Sequence, residues 1–400
     1  MAIPQVLTAD AAACDTSDFV VRAGLAADVA AANARAVDAQ GRFPSEAFAA
    51  LRKHRLLGIM VPQDLGGEGA TVSQVADVCY VLGRACGSTS MIYAMHQTKV
   101  ACLVRHGRGH AWHERMMRRL CAEQLLLGSS TTEGQAGGNI RQSAAPVGRE
   151  GSRISLERSA TCISYGEQSD AIVTTARRAA DAAASDQVLV VFLKDDYALE
   201  PIVSWDTLGM RGTCSYGFTL RARGADDQIL PEPYESIHMR TMVPFAHMMW
   251  SATWAGIAAG AVERARMFAR NAARAANGQS PPGTAHLTRA IASLRMLRST
   301  VGSAIKKFEA ASIDRGDFES MDFQTAITVL KVNASELAVS TVMSALQATG
   351  LSGYRNDSDF SVGRHLRDVL SSPIMINNDR VLANLAGASL VSEVPSVLMD

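Results

Sequence analysis

Four hundred residues carry 39 basic and 39 acidic side chains, a formal net charge of zero, with 48% hydrophobic and 20% charged residues. That balance excludes a disordered chain and speaks against a polyanionic partner such as nucleic acid, while the length suits two to three domains with sizeable cores. Met1–Phe19 lacks a basic segment followed by an apolar one, so no secretory signal is expected. From about residue 16 to 126 the chain reads as helical. Asp18–Ala39 is Ala-rich at helical spacing, and Pro44–Ala47 opens a second helix with Phe48, Leu51 and Leu56 on one side. Beyond the breakers Val61-Pro62 and Gly66–Gly69, three more helices are predicted over 72–84, 88–106 and 112–127.

The pattern changes near Gly128. Short β-type runs over 152–157, 171–175, 188–193 and 217–221, punctuated by Gly, Pro and Asp-Asp, predict a small antiparallel barrel or sandwich. Helices return over 250–276, 287–311 and 323–350, with a shorter one from Asp379. The expected architecture is mainly α with a central β-barrel: helices in 1–127, the barrel in 128–235 and a helical bundle in 236–400. No stretch approaches eighteen uninterrupted apolar residues; Trp250–Val262 is broken by Ser251 and Thr253, so no membrane span is expected. Seven cysteines without a CxxC pair read as reduced thiols of a cytoplasmic protein. His106, His110 and His113 share a stretch with Glu114, but Arg105–Arg119 is so basic that it reads as a solvated surface, and no metal is expected.

Three segments carry small residues at loops. Thr132–Asn139 lies where helix gives way to strand, Trp205–Ser215 joins an aromatic ring to a flexible turn and hydroxyls, and Gln347–Tyr354 precedes the basic Arg364–Asp368. In that order the chain resembles the acyl-CoA dehydrogenase family of flavoproteins. The family's Pro…Gly-Gly-x-Gly is similar to Pro62…Gly66-Gly67-Glu68-Gly69, and its Thr-Glu-Pro-x-Ala-Gly-Ser-Asp loop to Thr132–Asn139. Cys162-Ile163-Ser164, Gly209-Met210-Arg211-Gly212, Gln347-x-x-Gly350 and Arg364-x-x-Arg367-Asp368 resemble further signatures.

The resemblance implies bound FAD wedged between barrel and C-terminal helices, and a homodimer or homotetramer whose neighbouring subunit holds part of the cofactor. It places Thr131, Thr132, Gly137, Gly138, Ile163 and Ser164 near the ring, Arg274, Gln347 and Gly350 at the diphosphate and adenine end, and Asn378 among the cofactor contacts. Arg274-Ala-Ala-Asn277-Gly278 departs from the family's Arg-x-x-Phe-Gly.

The family's reaction removes an α-proton from an acyl thioester, so a base must lie within hydrogen-bond reach. The usual Glu position is Ile376 and the alternative position is Trp250, neither of which can accept a proton. Three readings follow. The first is an acyl-thioester dehydrogenase, CoA- or carrier-bound, with a relocated base at His247 or His96 and an electron-accepting flavoprotein. The second is a monooxygenase of the same fold using reduced flavin and O₂ on an aromatic or amine substrate, with Trp250 and Ile376 shaping its pocket. The third is a non-catalytic partner subunit.

Overall fold

In a computed structural model the described residues are 17–133, 140–277 and 282–391. Five helices come first: α1 (Ser17–Gln40), α2 (Ser45–Lys53), α3 (Val72–Ala85), α4 (Gly87–His106) and α5 (Ala111–Glu123). Local chemistry sets their ends. Thr71 and Gln74 exchange side chain-to-backbone hydrogen bonds at the start of α3, a capping box that satisfies two otherwise orphaned N–H groups. Gln124 takes φ +54° and stops α5 short of the predicted end.

Seven strands follow: β1 (Leu127–Ser130), β2 (Gly148–Glu150), β3 (Arg153–Ala160), β4 (Ala171–Arg177), β5 (Gln187–Leu193), β6 (Tyr197–Val203) and β7 (Gly217–Ala225). They form two sheets, a three-stranded β1-β4-β5 and a four-stranded β2-β3-β7-β6. Their facing sides share one apolar core, with Ile172, Val190 and Phe192 from one sheet against Leu156, Phe218 and Leu220 from the other. The expected barrel is therefore corrected to two open sheets packed face to face, since no sheet closes among the described residues. The physical reason lies in β4 and β5. Val173, Leu189 and Val191 on their other side are buried in the helical core, so these strands have no solvated outer face.

The chain then returns to helix through α6 (Tyr234–Ile237) and one π-helical turn (His238–Met242). It continues as α7 (Val243–Ala275), α8 (Thr284–Ala310), α9 (Met321–Thr349), α10 (Leu351–Tyr354), α11 (Gly363–Val369) and α12 (Asn378–Val391). Gly83 of α3 and Gly256 of α7 face each other so closely that a Cβ on either would press on the opposite backbone. This crossing fastens the first helical layer to the last. Helix α9 alone among the described helices is long and apolar enough to cross a membrane, but half of that stretch is buried, as in a core helix. All six described cysteines are free thiols, and no cluster of metal-ligating side chains occurs among the described residues.

Candidate active site

A cavity of about 470 Å³ opens between α4, the turn after β3, the loop 205–215, α11 and the turn after α11. Met91 and Met95 supply its α4 wall, Cys162 and Ser164 the β3 side, and Leu370, Ile374 and Met375 the α11 side. Leu208 and Ile374 are 63% and 71% exposed and mark its mouth, whereas Met91 and Met210 are buried.

The 205–215 wall is clasped to its surroundings by charged hydrogen bonds. The Met210 N–H donates to Asp368 Oδ1 (2.7 Å), and Arg367 Nη1 donates to Asp38 Oδ1 (2.8 Å) and to the Leu208 carbonyl (3.1 Å). Arg211 Nε reaches the Asp38 carbonyl at 2.9 Å, so α1 holds the loop through two arginines. Burial pushes the Asp368 carboxyl up to about 6, with the Arg364 cation opposing that rise. Met210 on this wall, and Cys214 and Tyr165 next to the lining residues Thr213, Ser215 and Ser164, sit at positive φ without being glycine.

Polarity at this wall has a direction. Thr213 Oγ1 donates to the Met210 carbonyl (2.9 Å); Ser215 Oγ lies 2.8 Å from Thr213 and 2.7 Å from Ser164. With the single Thr213 proton committed, Ser215 donates to Thr213 and Ser164 donates to Ser215, which leaves Ser164 offering lone pairs to the cavity. An acceptor set in apolar walls of Met91, Met95, Leu370 and Met375, beside the Trp205 ring, fits a planar group with N–H edges and an apolar body, such as a flavin ring.

Of the residues expected at the ring, Ser164 lines the cavity and Ile163 supports it from behind. The Ile163 side chain is buried between the sheets, and its N–H donates to the Tyr216 carbonyl at 2.8 Å. Thr131 and Thr132 are half-buried just after β1, and Gly137 and Gly138 lie outside the described residues. Arg274, Gln347 and Gly350 are exposed and do not reach the cavity. Gly350 caps α9 at φ +54°. Asn378 is buried away from it, bonded to Lys331 Nζ (2.6 Å) and Ser335 Oγ (3.0 Å).

The two histidines considered as bases are placed elsewhere. His96 Nε2 donates to the Leu57 carbonyl (2.8 Å) while Nδ1 accepts the Leu127 N–H (3.0 Å), so both ring nitrogens are engaged with backbone. His247 Nδ1 donates to the Ile327 carbonyl (3.0 Å). Burial holds both rings neutral, pulled down to about 4, and neither lines the cavity. Trp250 packs 5.8 Å from the His247 ring, and Ile376, held at φ +49°, turns its carbonyl to Lys331 Nζ (2.7 Å). Neither lines the cavity, so the expectation that this pair shapes the pocket is corrected: Ile374, Met375 and the α4 methionines do so.

Met91, Met95, Trp205, Thr213 and Ser215 were the residues sequence reasoning left unassigned. The hydroxyls and Trp205 lay within a segment already singled out, whereas methionines on an apolar helix carry no signal that separates a cavity wall from a core. Removing the Arg367 clasp is expected to loosen the wall. Arg367→Ala should lower urea-measured stability by about 1–2 kcal/mol, because Asp38 and the Leu208 carbonyl lose a charged donor.

Two stretches of the chain match family models: residues 20–124 the acyl-CoA dehydrogenase N-terminal domain, and residues 238–390 the acyl-CoA dehydrogenase C-terminal domain. The chain belongs to the acyl-CoA dehydrogenase family. It is a flavin-dependent oxidoreductase of that fold. Among its relatives, an L-evernosamine nitrososynthase of Micromonospora sp. is 27% identical over 352 residues, covering 84% of this chain and 81% of that one. A probable acyl-CoA dehydrogenase, fadE25, of Mycobacterium leprae is 25% identical over 353 residues, covering 88% of each. FMN-bound TdsC from Paenibacillus sp. A11-2 superposes with a TM-score of 0.81 at 17% identity, over 94% of this chain and 98% of that one. KijD3 in complex with dTDP gives 0.81 at 20% identity, over 95% and 97%. At these identities the structural likeness speaks for the fold of this acyl-CoA dehydrogenase family member.

Proposed function

We propose that the chain is a flavin-dependent monooxygenase that oxygenates a small aromatic or amine substrate with dioxygen. One observation carries this reading. Among the described residues the cavity lining holds no carboxylate and no imidazole, and its ionisable side chains are Cys162 and Arg367. Burial pushes the Cys162 thiol up, and Arg367 is a permanent cation tied to Asp38, so neither takes an α-proton at neutral pH. Dehydrogenation of an acyl thioester needs that acceptor; oxygen transfer does not.

A bound flavin supplies the two electrons with which dioxygen yields one oxygen atom to substrate and one to water. The chain's own residues have positioning tasks. Ser164 accepts a hydrogen bond from the ring edge, and the Thr213–Ser215 chain fixes its orientation. Trp205 and the four apolar side chains of Met91, Met95, Leu370 and Met375 keep water from the reacting centre. FAD and FMN share the ring that this wall suits, and both are to be tried in reconstitution. The nitrososynthase relative favours oxygenation and the fadE25 relative the dehydrogenase reading, while the TdsC likeness bears on the fold.

The test separates them directly. Protein loaded with reduced flavin is mixed with oxygenated buffer and a panel of aryl amines and indoles, and ¹⁸O incorporation into product is read by mass spectrometry. The expected result is label from ¹⁸O₂ in product and no anaerobic bleaching of oxidised flavin by acyl-CoA thioesters. Anaerobic bleaching by a thioester would overturn the reading in favour of dehydrogenation. Failure to take up either flavin would leave the chain a non-catalytic partner.

A further inference from the structure

Two lysines are buried in this chain, and they differ in one respect. Lys331 on α9 is fully enclosed and satisfied, donating to the Ile376 carbonyl and to Asn378 Oδ1. Lys99 on α4 is 4% exposed, and the contact its ammonium makes among the described residues is with Met242 Sδ, 2.8 Å away. A thioether is a weak acceptor, and an ammonium removed from water without an oxygen partner is held at a large cost. Burial pulls Lys99 down to about 8, as it does Lys331, so the two differ in the acceptors they find and not in their desolvation. Arg158, equally buried, has Glu133 at 3.1 Å, whereas Lys99 makes no such carboxylate contact among the described residues.

The place of Lys99 connects it with the cavity. It follows Met95 by four residues, one helical turn along the same face of α4, and Met95 is a cavity wall. Met95 is only partly buried, and its unbranched side chain can swing aside. Opposite Lys99, Met242 ends the π-helical turn, an irregularity that recurs at functional sites. Lys99 is not itself a lining residue; Met95, one turn before it on α4, is the wall residue that a ligand would have to displace to reach it.

We propose that Lys99 anchors a carboxylate on the substrate, which passes Met95 to exchange the thioether contact for a charge-assisted hydrogen bond. This deepens the function proposed above by naming the substrate class, and it rests on the cavity being the substrate site rather than on oxygen transfer. A small organic acid whose reacting atom lies between its carboxylate and the Ser164 wall satisfies both ends of the cavity. The Met242 contact keeps the ammonium in place while the site is empty of acid. A lysine able to turn between a sulfur and a carboxylate also spares the free protein a fixed buried ion pair.

The test uses full-length protein, wild type, Lys99→Met and Lys99→Arg, with benzoate and its neutral isostere benzamide as probes. Calorimetry and ligand-induced shifts in melting temperature are read without turnover, so the outcome is independent of the reaction class. Benzoate is expected to bind wild type at least tenfold more tightly than benzamide. Lys99→Met should weaken benzoate tenfold or more and leave benzamide unchanged, while Lys99→Arg keeps the preference for the anion. Unliganded Lys99→Met should melt at the same temperature as wild type or higher, since an apolar chain of similar length replaces an unpaired charge. Equal binding of the two probes, no binding of either to wild type, or unchanged benzoate affinity in Lys99→Met would overturn the proposal. So would a thioester-driven flavin bleaching that Lys99→Met abolishes, because Lys99 would then be a proton acceptor.

Discussion

Replacing Gly209 with alanine is expected to lower folding stability by about 4 kcal/mol and to abolish ligand binding in the cavity. The backbone at Gly209 has no positive φ, so conformational freedom is not the reason for glycine here. The reason is proximity: a Cβ built on Gly209 would overlap the Arg367 carbonyl and crowd the Asp368 nitrogen, both rigid backbone in α11. The loop must then move away from α11. That breaks the Met210 N–H bond to Asp368, leaving a buried carboxyl without its donor, and pulls Leu208 from Arg367. Overpacking and the lost charged hydrogen bond each contribute about 2 kcal/mol. Gly24→Ala is the control. Nothing lies within 4 Å of its added Cβ in α1, so it should stabilise by roughly 0.5–1 kcal/mol. Urea unfolding of the two variants side by side checks the argument, and equal effects would defeat it.

The second large effect is on acid stability. His96, His113 and His247 are pulled down to about 4 and His238 to about 3, in every case chiefly by burial. An unfolded histidine titrates near 6.5. Between pH 6.5 and 4 the unfolded chain therefore binds protons that the folded chain refuses, and stability falls as pH falls through that window. Each histidine costs roughly 2 kcal/mol by pH 4.5, enough in sum to unfold a marginally stable protein. Asp368 acts in the opposite sense, because its raised pKa makes the folded state bind a proton first; it offsets part of the loss between about 6 and 3.8. Urea midpoints measured from pH 7.5 to 5 should drop steeply, with several protons taken up per unfolding event. His247→Gln keeps a donor for the Ile327 carbonyl without titrating, and should reduce that uptake by about one proton. A midpoint flat across the range would rule the account out.

Much of the fold was legible because its periodicities are long. The helices predicted over 72–84, 88–106 and 323–350 end within about two residues of α3, α4 and α9, and four of the seven strands were placed. Strand β6 escaped because it is an edge strand, mostly exposed and interrupted by Pro201, so alternation never develops. Helix α7 begins seven residues earlier than predicted because the π turn at His238–Met242 feeds straight into it and blurs the start signal. Closure of the sheets was misjudged since period-two patterns report which residues are buried and not which strands pair.

The site was legible in outline only. Trp205 and Thr213 fell within a loop singled out for its flexible turn and hydroxyls, Ser164 was placed by the family resemblance, and Ile376 and Trp250 raised the question of where a proton acceptor would lie. Met375 lines the cavity while its neighbour Ile376, at φ +49°, does not, and no spacing rule anticipates a left-handed backbone at a β-branched residue. Nothing in the sequence sets Lys99 apart, since the helix it occupies is buried over most of its length and shows no polar face against which a buried lysine would stand out.

The three-stranded sheet described above belongs to two cores at once, its inner side sealed by the other sheet and its outer side by helices from both ends of the chain. Leu189 and Val191 rest in the same apolar mass as Tyr93 of α4 and Phe245 of α7. A truncation near residue 235 is expected to remove the part of that cover that α7 supplies and to uncover apolar β surface. The outer side of the central sheet thus has its apolar cover supplied by helices encoded before and after it in the chain.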